Sequence, residues 1–116
     1  MLKSGETQAA VESLTKADVL DNGGENPGIL NALGLARHKL HEWGDASDSF
    51  NLAIEKAKTN EDLVEFYCNR ADFYYDRGFY AEAAGDLDKA RGYYAEAAKD
   101  LDLALEKDNT NSKVHY

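Results

Sequence analysis

Small and apolar residues recur along the chain at a spacing that is typical of paired α-helices. The pattern is a small residue, alanine five positions later, an apolar residue four positions after that, and alanine three further on. It begins at Gly5, His41, Gly78 and Gly92. Steps of four and three place the residues on one helix face, where alanines let two backbones approach closely. The pattern therefore predicts an all-α fold built from antiparallel helical hairpins.

Helix-breaking and capping residues divide the chain between these faces. Pro27 follows an asparagine cap as a first helical residue, and the stretch Thr59-Asn60-Glu61-Asp62 can end one helix and begin the next. In each hairpin a small residue of the first helix is predicted to face a small residue of the second across a tight turn. These pairs are Gly34 with Ala46 and Ala71 with Ala83. The predicted helices span roughly residues 6–21, 27–41, 45–58 and 62–77.

A duplication lies near the end of the chain. Residues 77–90 are followed at once by a second copy, residues 91–104, in which eleven of fourteen positions match. Fourteen residues make nearly four helical turns, so the apolar stripe stays almost in phase. Two structures compete: one helix over residues 79–107, or a turn at Gly92 that repeats the turn predicted at Gly78. The shared flanking sequence favours the turn, whereas a glycine inside a helix costs only about 1 kcal/mol relative to alanine.

The recurring small and apolar residues of the hairpins give the sequence its resemblance to the tetratricopeptide repeat family. Residues 27–60 follow the family's pattern in Leu30, Leu33, Gly34, Ala46, Phe50 and Ala53. Residues 64–90 follow it again in Tyr67, Ala71, Tyr74, Gly78, Tyr80, Ala83 and Ala90. Two positions depart from the pattern, since His41 replaces the turn glycine and Arg37 replaces an expected aromatic residue.

The resemblance implies a single domain in which helical hairpins stack into a superhelix. Its predicted parts are a half repeat at 5–21, repeats at 27–60 and 61–90, a duplicated helix at 91–107, and a tail or next repeat at 108–116. In this family the first helix of each repeat lines a concave groove that receives a peptide. The groove residues implied here are Asn31, Leu35, His38, Lys39, Cys68, Asn69, Asp72, Tyr75 and Asp76. The alternative is that these side chains form a solvated helix face.

The charge of the chain narrows the choice of partner. Acidic residues outnumber basic ones 22 to 13, for a net charge of −9. Phosphate binding needs clustered lysine and arginine, so nucleic acid is not predicted as a partner. A basic peptide or protein would be attracted, although the acidity can also serve solubility alone. No apolar run has membrane-spanning length and no secretory signal is visible, so a cytoplasmic protein without a membrane partner is predicted.

Catalytic and metal-binding patterns are weak. His38, His41 and Glu42 are the one group that hints at a metal, but the residue order of metalloproteases is absent, and we predict no metal. Cys68 is the only cysteine, which excludes an internal disulfide. No nucleophile elbow and no phosphate-binding glycine loop is found. We therefore predict a chain that is not an enzyme and needs no cofactor.

The leading hypothesis is a protein–protein interaction scaffold that binds a peptide or protein segment in the concave groove. The alternative is a structural or self-assembly module, or an engineered helix duplication, that forms oligomers through exposed terminal helices. Leu101, Leu103, Leu105 and Tyr116 lie where a following helix would cover them, so self-association through this end is predicted.

Overall fold

A computed structural model of the chain describes residues 2–20 and 25–112, and within these ranges it contains α-helices and no strand. The all-α prediction is confirmed. None of the described helices combines the length and the hydrophobicity that a membrane crossing requires. The helices are α1 (Leu2–Leu20), α2 (Pro27–Lys39), α3 (Trp43–Lys56), α4 (Asn60–Ala83) and α5 (Leu87–Ser112).

The chain divides into two compact units, residues 1–58 and residues 59–116. In the first unit α2 packs against both α1 and α3, and in the second α4 and α5 form one long hairpin. Helix α5 continues to Ser112, so it includes the first part of the segment that was predicted to be a tail or the start of a next repeat. Tyr116, which was assigned to an exposed end, lies outside the described residues.

The core of the first unit follows the predicted register. Ala46, Phe50 and Ala53 of α3 have no exposed surface. A Cβ atom added to Gly34 would come within 2.7 Å of the Phe50 ring, so the Phe50 ring of α3 lies directly against the α2 backbone at this glycine. Glycine is needed at this position because any larger side chain would push the two helices apart.

The caps that begin α2 and α4 also agree with the sequence. The Asn26 side chain accepts a hydrogen bond from the Ile29 amide at 3.2 Å, and Pro27 is the first helical residue. The Thr59 hydroxyl accepts one from the Asp62 amide at 3.0 Å. Each cap satisfies a backbone donor that the first helical turn leaves without an intrahelical partner.

The turn between α2 and α3 is closed by His41, which has a positive φ of 60°. Its amide donates to the His38 carbonyl at 3.0 Å, and the Glu42 amide donates to the Arg37 carbonyl at 2.9 Å. This pair of bonds is the usual way to end a helix with a left-handed residue. The His41 ring stacks on Trp43 at 4.8 Å, which offsets part of the strain of a non-glycine residue there. The predicted turn at His41 is confirmed.

In the second unit the predicted turn at Gly78 is wrong. Helix α4 continues through Gly78, and α5 runs without a break through Gly92. Ala71 and Ala83 therefore lie on the same helix, about 18 Å apart at 1.5 Å per residue, and do not face each other. The turn is at Gly85, which has a φ of 85°. It has the same two closing hydrogen bonds as the turn at His41, at 3.0 and 2.9 Å.

The two copies of the duplicated segment consequently differ in structure. The first, residues 77–90, includes the end of α4, the turn and the start of α5, whereas the second, residues 91–104, is helical throughout. Gly85 corresponds to Lys99 in the second copy. Glycine adopts the left-handed conformation without the steric cost that a lysine would incur. A turn at Lys99 would also shorten the second arm of the hairpin by fourteen residues, and the contacts that these residues make with the first arm would be lost.

Candidate functional site

The register of the long hairpin is fixed by two contacts between α4 and α5. Gly78 lies under the Tyr94 ring, where an added Cβ would come within 2.7 Å of a ring carbon. The Arg70 guanidinium donates from Nε to Asp100 Oδ2 and from Nη2 to Asp100 Oδ1, both at 2.8 Å. Asp100 is only 1% exposed, and its hydrogen bond raises the pKa of Arg70. This buried, bidentate pair opposes any slip of one helix along the other.

One side of this hairpin presents large apolar residues to solvent. On α4 these residues follow one another at spacings of four or seven, from Val64 to Phe79, and on α5 they do so from Tyr94 to Leu105. Such spacings keep each set on one helix face. Leu101 is 48% exposed and Leu105 is 58% exposed, as the sequence predicted for this end, while Tyr75 and Phe79 are about 60% exposed. We call this surface the apolar face, formed by Val64, Cys68, Tyr75, Phe79, Tyr94, Leu101 and Leu105.

A groove runs along the apolar face at the open end of the hairpin, where α4 begins and α5 ends. Its volume is about 430 Å³, and mainly carbon atoms line it. Toward the turn the groove is replaced by the paired rings of Tyr75 and Tyr94, whose centres are 5.2 Å apart. The lining residues are Val64, Cys68, Leu101, Ala104, Leu105 and Asp108.

Carboxylates flank the apolar face on both helices. Glu65 and Asp72 are exposed along α4, and Asp102 and Asp108 are exposed along α5. Among the described residues of these two helices, Arg91 is the single cation at a helical position beside this face. The apolar face therefore lies between acidic positions on both helices, its acidic borders, and one of these carboxylates, Asp108, also lines the groove.

The negative field of these borders acts on the thiol in the groove. Burial raises the pKa of Cys68, and the charges of Asp72 and Asp108 raise it further. Asp72 belongs to α4 and Asp108 to α5, so carboxylates of both helices are close enough to act on the thiol in the groove. At the other end, the Tyr94 hydroxyl donates to Glu82 Oε1 at 2.8 Å, which raises the pKa of Tyr94 to about 12. This bond holds the Tyr94 ring over Gly78.

The groove residues that the resemblance implied on α2 have different environments. Asn31 is 4% exposed, so its side chain lies within the packing and not on an open surface. Leu35 and Lys39 line a shallow groove of about 300 Å³ between α1 and α2. His38 lies 6.0 Å from the Trp43 ring. Of these four, Leu35 and Lys39 are the two exposed residues.

The implied residues on α4 are more open. Asp72, Tyr75 and Asp76 are exposed, while Asn69 and Cys68 are half-buried. Tyr75 and Cys68 belong to the apolar face described above, and Asp72 borders it. The α2 residues belong to the first unit and the α4 residues to the second. A single concave groove that contains both sets stays a prediction.

The sequence analysis missed the part of the apolar face that α5 contributes. Tyr94 was not selected as a surface residue, and Leu101 and Leu105 were considered only as an uncovered end. The predicted turns at Gly78 and Gly92 separated residues that in fact share continuous helices. The available signal was the seven-residue step from Tyr94 to Leu101, which places both side chains on one face of a helix.

Across residues 2–20 and 25–112, no group of three or more histidine, cysteine, aspartate or glutamate side chains is arranged to hold a metal ion. His38 and His41 both lie beside Trp43, at ring distances of 6.0 and 4.8 Å. Aromatic packing therefore accounts for the position of both imidazoles.

Comparison of the chain with models of protein families, with curated proteins and with solved structures found no match. The resemblance to the tetratricopeptide repeat family accordingly stays a prediction. Function is inferred below from the chain's own exposed surfaces.

Proposed function

We propose that this chain is a non-catalytic interaction module, of the tetratricopeptide repeat kind, that binds a peptide or protein segment. The observation that carries the proposal is the exposed apolar face of the α4/α5 hairpin with its acidic borders. Contiguous apolar surface rimmed by polar residues is typical of sites that bind other macromolecules. Exposed aromatic residues such as Tyr75 and Phe79 are enriched at such sites.

The charge of the chain supports a polypeptide with basic character as the partner. A net charge of −9 attracts lysine- and arginine-rich segments and repels nucleic acid and anionic lipid headgroups. The tetratricopeptide kind of module is supported by the small-residue contact of Gly34 with Phe50 and by the left-handed turn at His41. We place the protein in the cytoplasm and assign it no cofactor.

A display library of random short peptides, selected against the chain, tests this proposal. We expect the enriched peptides to combine apolar residues with lysine or arginine. A chain in which Leu101 and Leu105 are both replaced by glutamate provides the comparison, because both side chains are largely exposed and neither is needed for the core. Failure to enrich any peptide family from several independent libraries would rule out the proposed function.

Self-assembly is the second candidate function, and the exposure of Leu101 and Leu105 on α5 is the observation that favours it. Sedimentation of the purified chain distinguishes the two candidates. A monomer at high protein concentration would exclude assembly. A dimer that Leu101→Glu dissociates would favour assembly over peptide binding.

A further inference from the structure

We propose that the apolar face of the α4/α5 hairpin holds an amphipathic α-helix of a partner protein, and that this helix carries lysine or arginine along both edges of its apolar stripe. The inference rests on the proposed function and specifies which surface is used and what chemistry the partner has. It uses the implied groove residues Cys68, Asp72 and Tyr75 of α4 together with residues of α5, and none of those on α2.

The shape of the surface fits a helix laid along the hairpin. The apolar face extends over α4 from Val64 to Phe79, which is about 22 Å at 1.5 Å per residue, or roughly four helical turns. Along it, Tyr75 and Phe79 are spaced by four residues, as are Leu101 and Leu105 on α5. Rows of side chains at this spacing form the ridges between which the side chains of a third helix pack.

The polarity of the groove selects a helix over an extended peptide. Carbon atoms dominate the lining formed by Val64, Cys68, Leu101 and Leu105, so it offers few partners for backbone amides and carbonyls. An extended peptide would leave those groups buried without hydrogen bonds, at a cost of roughly 1–3 kcal/mol each. A helix satisfies its backbone internally and exposes only side chains to the groove.

The two acidic borders select the charge of the occupant. Glu65 and Asp72 are exposed at helical positions beside the α4 residues of the face, Asp102 is exposed beside its α5 residues, and Asp108 lines the groove at the end of α5. Lysine or arginine residues at both edges of an apolar stripe would meet these carboxylates when the helix is seated. A second copy of the chain is disfavoured as the occupant, because it has the same net charge of −9 and would bring acidic borders together.

Cys68 offers a direct reporter of occupancy in the unsubstituted chain. It is the only cysteine of the sequence, its thiol is free, and it lines the groove. A helix seated on the apolar face would cover it and slow its alkylation by N-ethylmaleimide. The reaction is measured at alkaline pH, because only the thiolate reacts and the pKa of Cys68 is raised.

The probe is a synthetic leucine–lysine peptide whose leucines fall at helical positions i, i+3, i+4 and i+7, with lysines on both edges. One control peptide has the same composition in scrambled order, and the other has glutamate in place of lysine. With the full chain, we expect the first peptide to bind at least about tenfold more tightly than either control, as measured by fluorescence anisotropy. We also expect it alone to protect Cys68 from alkylation.

Matched substitutions locate the binding surface. Leu101→Glu places a charge in the apolar face, and Leu52→Glu places one at a leucine of α3 that is similarly exposed, at 39% compared with 48%. We expect Leu101→Glu to lower the affinity for the lysine peptide by at least about tenfold and Leu52→Glu to change this affinity by less than about twofold. Circular dichroism verifies that both variants are folded. Protection of Cys68 in the unsubstituted chain does not depend on either variant.

Several outcomes would overturn the inference. If the scrambled peptide bound as tightly as the amphipathic one, the interaction would depend on charge alone. If protection of Cys68 increased with protein concentration in the absence of peptide, a second copy of the chain would be the occupant. Undiminished binding to Leu101→Glu, together with a loss in Leu35→Glu, would place the peptide on α2. In that case the proposed function would survive and this inference would fail. Absence of binding by every peptide, including those from the display libraries, would remove both.

Discussion

Replacing glycine by alanine should have opposite effects at Gly85 and Gly92. An added Cβ would meet nothing within 4 Å at either position, so crowding does not distinguish them. What differs is the backbone, because Gly85 has a φ of 85° in the turn and Gly92 lies inside α5. The pair therefore isolates the conformational preference of the chain at two positions that the sequence presents as equivalent.

The expected magnitudes follow from these conformations. A left-handed residue other than glycine costs roughly 1–2 kcal/mol, and part of this is recovered because alanine restricts the unfolded chain. Gly85→Ala should therefore lower the free energy of unfolding by about 1 kcal/mol. Gly92→Ala should raise it by about 1 kcal/mol, the helix-propensity difference between the two residues. The two variants should differ by about 2 kcal/mol.

Urea denaturation followed by far-ultraviolet circular dichroism measures both changes, since α4 and α5 are the two longest helices of the chain. With a slope of about 1 kcal/mol per molar urea, the midpoints should move by about 1 M in opposite directions. Gly78→Ala completes the series. It should destabilise the hairpin by about 1–3 kcal/mol through overpacking, because the new Cβ would come within 2.7 Å of the Tyr94 ring. A stabilised Gly85→Ala together with a destabilised Gly92→Ala would refute the observed position of the turn.

Three further predictions concern individual contacts. Arg70→Ala should lower the free energy of unfolding by about 3 kcal/mol in urea titrations, because it leaves Asp100 buried without its counterion. Glu82→Gln should lower the pKa of Tyr94 from about 12 toward its ordinary value near 10, as measured by phenolate absorbance against pH. Because folding raises this pKa, the contribution of the phenol to stability is complete below about pH 10 and is lost as the pH rises to about 12. His41→Gly should be more stable to heat than His41→Ala by about 1 kcal/mol, because only glycine relieves the positive φ.

Controls for these predictions come from the same chain. Lys56 and Glu25 form an exposed ion pair at 3.2 Å, so Lys56→Ala should cost no more than about 1 kcal/mol. A comparable loss for Lys56→Ala and Arg70→Ala would contradict the role assigned to burial. For the tyrosine titration, an unchanged phenolate curve in Glu82→Gln would show that the bond to Glu82 does not set the pKa of Tyr94. For His41, equal stabilities of the two variants would mean that the turn carries no backbone strain.

The sequence was sufficient to predict the first unit in most respects. The alanines of α3 repeat with helical spacing, and the cap at Asn26 acts locally, so neither prediction depended on distant contacts. The position of His41 in the turn followed from the same short-range pattern. The contact of Gly34 with the Phe50 ring was not predicted, because the sequence analysis considered only pairs of small residues at the helix crossing.

In the second unit the sequence placed the turn seven residues too early. Gly78 and Gly92 have the same local sequence, and neither forms a turn, because the turn depends on packing over the whole hairpin. With the turn at Gly85, the arms have 24 and 26 residues and pair over nearly their full length. The bond between Arg70 and Asp100 joins residues thirty positions apart. Contacts at that separation leave no trace in local periodicity, so the register could not be read from the sequence.

The candidate site was predictable to the extent that it uses one helix. Cys68, Asp72 and Tyr75 were selected from α4 and lie on or beside the apolar face. Their neighbours on α5 could not be paired with them until the position of the turn was known. A helical face is visible in a sequence through its period, whereas a groove between two helices also requires their relative register.

The location of the duplication relative to the turn suggests how a hairpin of this kind can lengthen. The turn at Gly85 falls inside the first copy, so the fourteen residues of the second copy, 91–104, all lie in α5. Fourteen residues make nearly four full helical turns, which leaves the buried seam of α5 facing α4 along the added length. One tandem repetition of a short gene segment can therefore lengthen one arm of a helical pair without exchanging the inner and outer surfaces of that arm.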